Sequence, residues 1–434
     1  MCYGIPAVVA AFAAASAIAQ PAFEPTEPSV LLGDVADVRV TGLDPGSLAT
    51  IAAERYSGRS QSWYRSTAVF RADDAGQIDP INDEPVAAPW SGVDVAGFFW
   101  TMQTIDGAAY SEETTPWRTI QLHVDADGDG TVDASTRLRL DDGADVLVET
   151  SLGEAFQGAF VLRPPGDEPL PAIILLGGSE GGDRASRGMA PLLASRGYLA
   201  VGVPYYSPAW GTQEQQFPDL PRGFAGIPVD RLADVLDAVR AREDVIEDAI
   251  GVWGVSKGAE FALAAASRID GFAAVAAIVP SDVIWEGWGS NMPGPSSFSW
   301  EGTPMDYVPY LGMGAEFAKG RRGQAVRIRL PHDAGRLANP ERVEAARIRV
   351  EDIDEPVFVV GGDEDNTWDS GGMARNIAER RESAGLNTVL IVDAEAGHAL
   401  SGHAYTPLSE ADARVRKEAF PALLAFFAEH LKRP

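Results

Sequence analysis

The sequence predicts a doubly wound, mostly parallel α/β sheet preceded by an all-β block, and three observations carry that expectation. After about residue 151, short apolar runs alternate with helical segments. Before it, short β-branched stretches are separated by turn residues. At 434 residues the chain exceeds the size at which one hydrophobic core stops growing, so two domains are expected.

In the rear block, residues 151–434, the apolar runs are 172–176, 198–203, 249–255, 273–279, 356–360 and 388–392. Runs this short and unbroken fit strands covered on both faces of a parallel sheet. Helical segments fall between them at 185–195, 229–242, 257–268, 373–383 and 410–431. The last places Val415, Phe420, Leu423, Leu424 and Phe427 along one face. Strand–helix alternation of this kind implies a doubly wound sheet. Residues 281–348 break the rhythm, with Trp285, Trp288, Trp300, Tyr307 and Tyr310 set among Gly and Pro. The stretch is too long for a simple connection and reads as a cap over the active site.

In the front block, residues 25–150, the strand candidates are 35–40, 68–71, 95–102, 119–124 and 136–140. Gly, Pro, Asn and Asp lie between them, and short strands at this spacing suggest a β-sandwich. The first 20 residues carry no charge, and the apolar run 5–19 ends in Ala17-Ile18-Ala19. That run is too short for a comfortable membrane span but fits an export signal over residues 1–19, although no Lys or Arg stands near Met1. Cleavage there would send the protein to the periplasm or the medium; without it the protein stays in the cytoplasm. No later run is long and apolar enough for stable membrane insertion.

Composition narrows the chemistry. With 63 acidic and 35 basic residues the net charge is −28, a field that repels nucleic acid and anionic membranes. Cys2 is the single cysteine, so no intramolecular disulfide can form. The five histidines show no zinc-ligand spacing, which disfavours a metal-dependent hydrolase; no cofactor is expected.

Gly254-Val255-Ser256-Lys257-Gly258 matches G-x-S-x-G, and its setting gives the match weight. An apolar run leads into it and an Ala-rich helix follows, which is the strand–turn–helix of a nucleophile elbow in an α/β-hydrolase. Glycines on either side let backbones approach where a Cβ would clash. A serine hydroxyl needs a neighbouring base, and in this fold the acid and the histidine follow the serine in that order. After the run 356–360 comes Gly361-Gly362-Asp363-Glu364-Asp365-Asn366, from which Asp365 is the chosen acid and Asp363 the reserve. After the run 388–392 comes Ala394-Glu395-Ala396-Gly397-His398, which makes His398 the chosen base and His403 its competitor. His123, His332 and His430 read as structural. The oxyanion hole needs two N–H donors. One is expected from Lys257 and the other from Gly178 or Ser179 in the loop Leu176-Gly177-Gly178-Ser179-Glu180-Gly181-Gly182. A phosphate loop is excluded there, because no Gly-Lys-Ser/Thr follows.

With these residues in place, the chain resembles the acyl-CoA thioester hydrolase and bile acid-CoA:amino acid N-acyltransferase family, with a rear domain similar to dienelactone hydrolases. Segments 68–73, 91–97 and 100–102 are similar to that family's N-terminal immunoglobulin-like domain. Leu176–Gly182, Val203-Pro204-Tyr205-Tyr206, Ile227-Pro228-Val229-Asp230, the elbow, 362–370 and Ala396-Gly397-His398 are similar to its rear domain. The resemblance implies a triad on Ser256, Asp365 and His398 and hydrolysis of a long-chain acyl-CoA or related ester through an acyl-enzyme. The amidating branch uses cysteine at the elbow, so serine here favours hydrolysis over N-acyl transfer. A secreted carboxylesterase with the same triad is the alternative, and a non-catalytic partner-binding protein the third reading. The expected partner is a small acyl thioester or ester, and the oligomeric state is left open.

Two accessory features complete the reading. Coenzyme A phosphates need a basic patch, for which Lys319, Arg321 and Arg322, with Arg327 and Arg329, are the candidates; the same run also reads as a solvated charged face. Asp125, Asp127, Asp129 and Asp133 alternate around glycines as in a calcium loop, or as in a hairpin turn built on Asp/Gly chemistry.

Overall fold

The computed structural model describes residues 20–58, 60–107, 118–209, 214–289 and 294–432. The expected export signal, residues 1–19, lies outside the described residues. Two compact units are present. The first holds the described residues up to Val30 with Val35–Phe98 and Met102–Arg139; the second holds Leu31–Asp34, Phe99–Thr101 and Leu140 onward.

The first unit is built on a sheet in the order Ser29–Leu31, Ala134–Asp141, Thr119–Asp125, Leu48–Ser57, Ser62–Arg71 and Gln103–Ile105. Thr119–Asp125 buries every second side chain, Ile120, Leu122 and Val124, as a strand with one wet face must. Three expectations differ from the structure here, and the expected strand 35–40 is cut to Arg39–Thr41. The ten-residue strand Leu48–Ser57 was not foreseen, because its Ala-rich sequence lacks the β-branched signature and gains its place by pairing on both sides. Residues 95–102, expected as a strand, instead contain a helical turn, Gly97–Trp100. Asp94 starts that turn by accepting from Ala96 N (3.1 Å), and Gly97 lies so close to Trp90 that a Cβ would stand 2.3 Å from the indole.

The second unit is organised by eight strands: β1 (Val148–Ser151), β2 (Phe160–Arg163), β3 (Leu170–Leu176), β4 (Leu199–Gly202), β5 (Val245–Val255), β6 (Ala274–Ile278), β7 (Val357–Gly362) and β8 (Thr388–Asp393). They lie in the order β1-β2-β4-β3-β5-β6-β7-β8; β2 runs antiparallel to both neighbours, and the pairs from β4 to β8 are parallel. The helices are α1 (Arg184–Ala194), α2 (Arg231–Arg240), α3 (Lys257–Ala266), α4 (Met313–Gly320), α5 (Arg329–Ala338), α6 (Pro340–Ala345), α7 (Ser370–Ser383) and α8 (Glu410–Leu431).

Strand periodicity sorts the core into two layers. Ala172, Ile174 and Leu176 of β3 pack with Val235 and Val239 of α2 and Phe261 of α3. Ile173 and Leu175 point the opposite way, to Leu192 and Leu193 of α1 and Phe427 of α8. Each of the Val, Leu, Ile and Phe side chains among them, fully buried, stabilises the fold by about 1.5–3 kcal/mol. All of α3 is buried, as its near-continuous apolar sequence requires. Between β6 and β7 the chain makes α4, α5, α6 and the strands Phe298–Trp300 and Thr303–Pro304, which pair with each other and, through Phe298–Trp300, with Ile227–Pro228 from between β4 and β5.

Arg381 on α7 fastens the approach to β7 and β8. Its buried guanidinium donates to the carbonyls of Val350 (2.9 Å), Ile353, Glu355 (2.7 Å) and Asn387 (3.1 Å) and to Thr388 Oγ1 (2.9 Å). Burial lowers its pKa to about 10. Arg381→Met strands several carbonyls away from water, each costing about 1–3 kcal/mol. The unfolding free energy from urea titration should therefore fall by at least about 3 kcal/mol. An unchanged midpoint would refute the assignment.

Candidate active site

Ser256 stands where β5 turns into α3, with φ +55° and ψ −121°, a conformation that costs a non-glycine residue about 1–3 kcal/mol. The surroundings hold it there. Ser256 N donates to Ile278 O on β6 (2.9 Å), and Ser256 O accepts from Ala259 N and Glu260 N. A Cβ on Gly254 would meet Gly258 O at 2.1 Å, and one on Gly258 would meet Leu176 O at 2.2 Å. Both glycines are therefore steric requirements of the turn.

The structure brings the three residues singled out in the sequence together. His398 Nε2 lies 3.0 Å from Ser256 Oγ, and His398 Nδ1 lies 2.7 Å from Asp365 Oδ2. Asp365 is wholly buried, and its other oxygen accepts from Thr367 N (2.8 Å) and Trp368 N (3.4 Å). A carboxylate at Nδ1 fixes the tautomer with the proton on Nδ1, which leaves the Nε2 lone pair facing the hydroxyl. The reserve residues lie elsewhere. Asp363 is gripped by Arg375 (2.7 and 2.9 Å), whose hydrogen bonds hold it below the usual carboxylate range. His403 Nδ1 accepts from Tyr405 N (3.0 Å), and His123 Nδ1 faces Ser135 Oγ (2.8 Å) in the first unit. His430 sits edge-on to Phe426 near the end of α8.

The backbone N–H groups expected as oxyanion donors differ in how free they are. Lys257 N is the first amide of α3, with no intrahelical partner and the positive helix end behind it. Gly178 lies against the nucleophile, since a Cβ there would be 3.2 Å from Ser256 Cβ, but its N–H is taken by Glu180 Oε1 (3.0 Å). The Gly178 N–H expected as a donor is therefore already engaged by a carboxylate in this structure. Ser179 N has no hydrogen bond among the described residues. Two residues unassigned in the sequence fix this loop: Tyr205 Oη donates to Gly177 O and Tyr206 Oη to Ser179 O, both at 2.6 Å. Burial raises both phenols, which keeps them protonated as donors.

The Lys257 side chain was also missed. It is buried, and its Nζ donates to Glu260 Oε2 (2.6 Å) and Ser297 Oγ (3.0 Å) between the faces of Phe224 and Phe298. Glu260 Oε1 accepts from Trp285 N (3.1 Å). Lys and Glu three apart on one helix were visible in the sequence; their burial depends on residues 285–298 folding over them.

His332, taken as structural, belongs to the same neighbourhood. Its ring packs against Trp285, Tyr310 and Trp368, and Trp368 in turn packs against His398. Burial lowers its pKa to about 4, with the Ile328 carbonyl opposing the shift. The folded pKa lies below the ordinary 6.5, so the unfolded chain binds the extra proton. Stability should fall as pH drops from about 6.5 to about 4, by up to about 3 kcal/mol. Urea midpoints across that window should show a flatter slope in His332→Phe; an equal slope would count against this.

The basic run is not one free patch. Lys319 pairs with Glu316, and Arg322 reaches Gln324 (3.4 Å). Arg329 turns to the acid loop, donating to Asp363 O, Asp365 O (3.0 Å) and Asp369 Oδ1 (3.0 Å). Arg321 and Arg322 are exposed. In the first unit, carboxylate oxygens of Asp125, Asp127 and Asp133 lie within 4.8 Å of one another. Asp129 does not join them; its Oδ1 accepts from Thr131 N (2.7 Å). Asp125 also accepts from Gly128 N and Gly130 N, and Asp133 from Ala126 N, as in a turn built on Asp/Gly chemistry.

The strand order, the single antiparallel β2 and a serine elbow at the end of β5 define an α/β-hydrolase. The profile described as acyl-CoA thioester hydrolase/BAAT N-terminal region matches residues 34–140, and that described as BAAT/acyl-CoA thioester hydrolase C terminal matches residues 232–422. The chain belongs to the acyl-CoA thioester hydrolase/BAAT family. It is 24% identical to acyl-coenzyme A thioesterase 1 of Rattus norvegicus over 86% of this chain and 84% of that protein. It is 24% identical to bile acid-CoA:amino acid N-acyltransferase of Mus musculus over 56% of this chain and 57% of that one. The structure of Thermogutta terrifontis esterase 2 phosphonylated by sarin aligns with a TM-score of 0.39 and 17% identity, over 64% of this chain and 91% of that one. Among the described residues, no helix is long and apolar enough to cross a membrane.

Proposed function

We propose that the protein hydrolyses acyl-CoA thioesters through an acyl-enzyme on Ser256. The observation that carries this reading is the Ser256–His398–Asp365 relay, with its 3.0 and 2.7 Å contacts. His398 Nε2 takes the Ser256 proton as Oγ attacks the thioester carbonyl, and Asp365 stabilises the imidazolium that forms. The N–H groups of Lys257 and Ser179 receive the oxyanion; each such donor contributes about 2.7–4 kcal/mol. Collapse breaks the C–S bond, and His398 returns the proton to the departing sulfur. Water then attacks the acyl-serine with His398 again as base, releasing the acid and restoring the hydroxyl.

Serine at the elbow, with no cysteine beyond Cys2, favours water over an amine as acyl acceptor. The test is release of free thiol from a series of acyl-CoAs, compared with release of alcohol from short esters. Alcohol release without thiol release would move the reading to a carboxylesterase, which the net charge of −28 and the pairing of Lys319 with Glu316 favour as the second choice. The antiparallel hairpins of the first unit and its family match support an immunoglobulin-like sandwich there. Residues 1–19 are read as an export signal; a product starting at Gln20 would support that, and one retaining Met1 would exclude it.

A further inference from the structure

We propose that His332 is a specificity-determining residue whose Nε2 accepts a hydrogen bond from an N–H or O–H group of the substrate. This deepens the triad reading and rests on it. The first turn of α5 is docked on the acid loop: Arg329 N donates to Asn366 O (3.0 Å), and its side chain reaches the carbonyls of Asp363 and Asp365. His332 follows three residues later, on the same side of the helix. Its ring centroid lies 4.5 Å from Trp285, 4.8 Å from Tyr310 and 5.7 Å from Trp368, and Trp368 lies 5.9 Å from His398. Both imidazoles thus pack against one indole.

The tautomer of His332 is fixed from within its own helix. Nδ1 lies 2.7 Å from Ile328 O, and a carbonyl can only accept, so Nδ1 carries the proton and Nε2 the lone pair. The residue is 4% exposed. Nε2 has no hydrogen-bond partner among the described residues. A lone pair set among aromatic walls with nothing to accept lacks a donor. Substrate groups that can supply one are the amide N–H of a thiol leaving group and a hydroxyl on the acyl chain. A plain ester or thioester supplies none.

Three butyryl-type thioesters separate these sources: the N-acetylcysteamine thioester (donor in the leaving group), the 3-hydroxybutyryl S-ethyl thioester (donor in the acyl chain) and the butyryl S-ethyl thioester (no donor). The full chain should favour one donor-bearing substrate over the donor-free one by about 10–100-fold in kcat/KM, because a site built around a hydrogen bond discriminates against analogues lacking it. In His332→Phe that ratio should collapse towards 1, and His332→Gln, which offers an acceptor, should restore part of it. The identity of the favoured substrate tells which source is used. A ratio that survives in His332→Phe, an equal fall for all three substrates, or no preference in the unaltered chain each overturns the proposal. Failure of the triad reading shows separately, as thioester hydrolysis that persists in Ser256→Ala.

Discussion

Replacing Ser256 with alanine is expected to lower kcat by on the order of 10⁶-fold and to abolish labelling by a fluorophosphonate probe. The hydroxyl is the atom within reach of His398 Nε2, and the substitution removes it while leaving the fold's hydrogen bonds, which run through Ser256 N and O, in place. Alanine carries the same positive-φ strain as serine, so the unfolding midpoint should stay within about 0.5 kcal/mol. Asp365→Asn should lower kcat by about 10⁴-fold, because an amide in place of Oδ2 no longer enforces the Nδ1–H tautomer. Labelling kinetics with intrinsic fluorescence as a folding control measure both. A folded Ser256→Ala protein that still labels at the original rate would end the serine mechanism.

The second large effect concerns stability. Lys257→Met should destabilise the protein by about 3–5 kcal/mol, because Glu260 would remain buried as a charge without its partner. Burial alone lowers the lysine's pKa and raises the glutamate's; their mutual attraction opposes both shifts. Lys257→Met with Glu260→Gln should recover most of the loss, since the amide oxygen still accepts from Trp285 N and no charge is buried. Denaturant titration of the two variants decides it. Equal midpoints for the single and double variants would show that the pair is not held as ions.

The parts of this site that sequence alone exposed share one property. Ser256, Asp365 and His398 each follow a short apolar run and a glycine turn, so local pattern places them at strand ends. What stayed hidden depends on distant packing. Leu48–Ser57 pairs on both edges and so forms a strand without β-branched bias. Tyr205 and Tyr206 act through their hydroxyl tips, on a loop some 27 residues upstream. His332 looked like a core histidine because neither its fixed tautomer nor its aromatic neighbours, at positions 285, 310 and 368, can be read from its own segment.

The complete burial of α3 has a kinetic counterpart. Backbone amides along Phe261–Ala266 have no exposed face from which to open, so their deuterium uptake should proceed only through whole-unit unfolding. Amides of α4 and α6, where exposed and half-covered residues dominate, should exchange earlier through local fraying. The nucleophile would then ride on the slowest-opening segment of its unit, while the chain around it breathes.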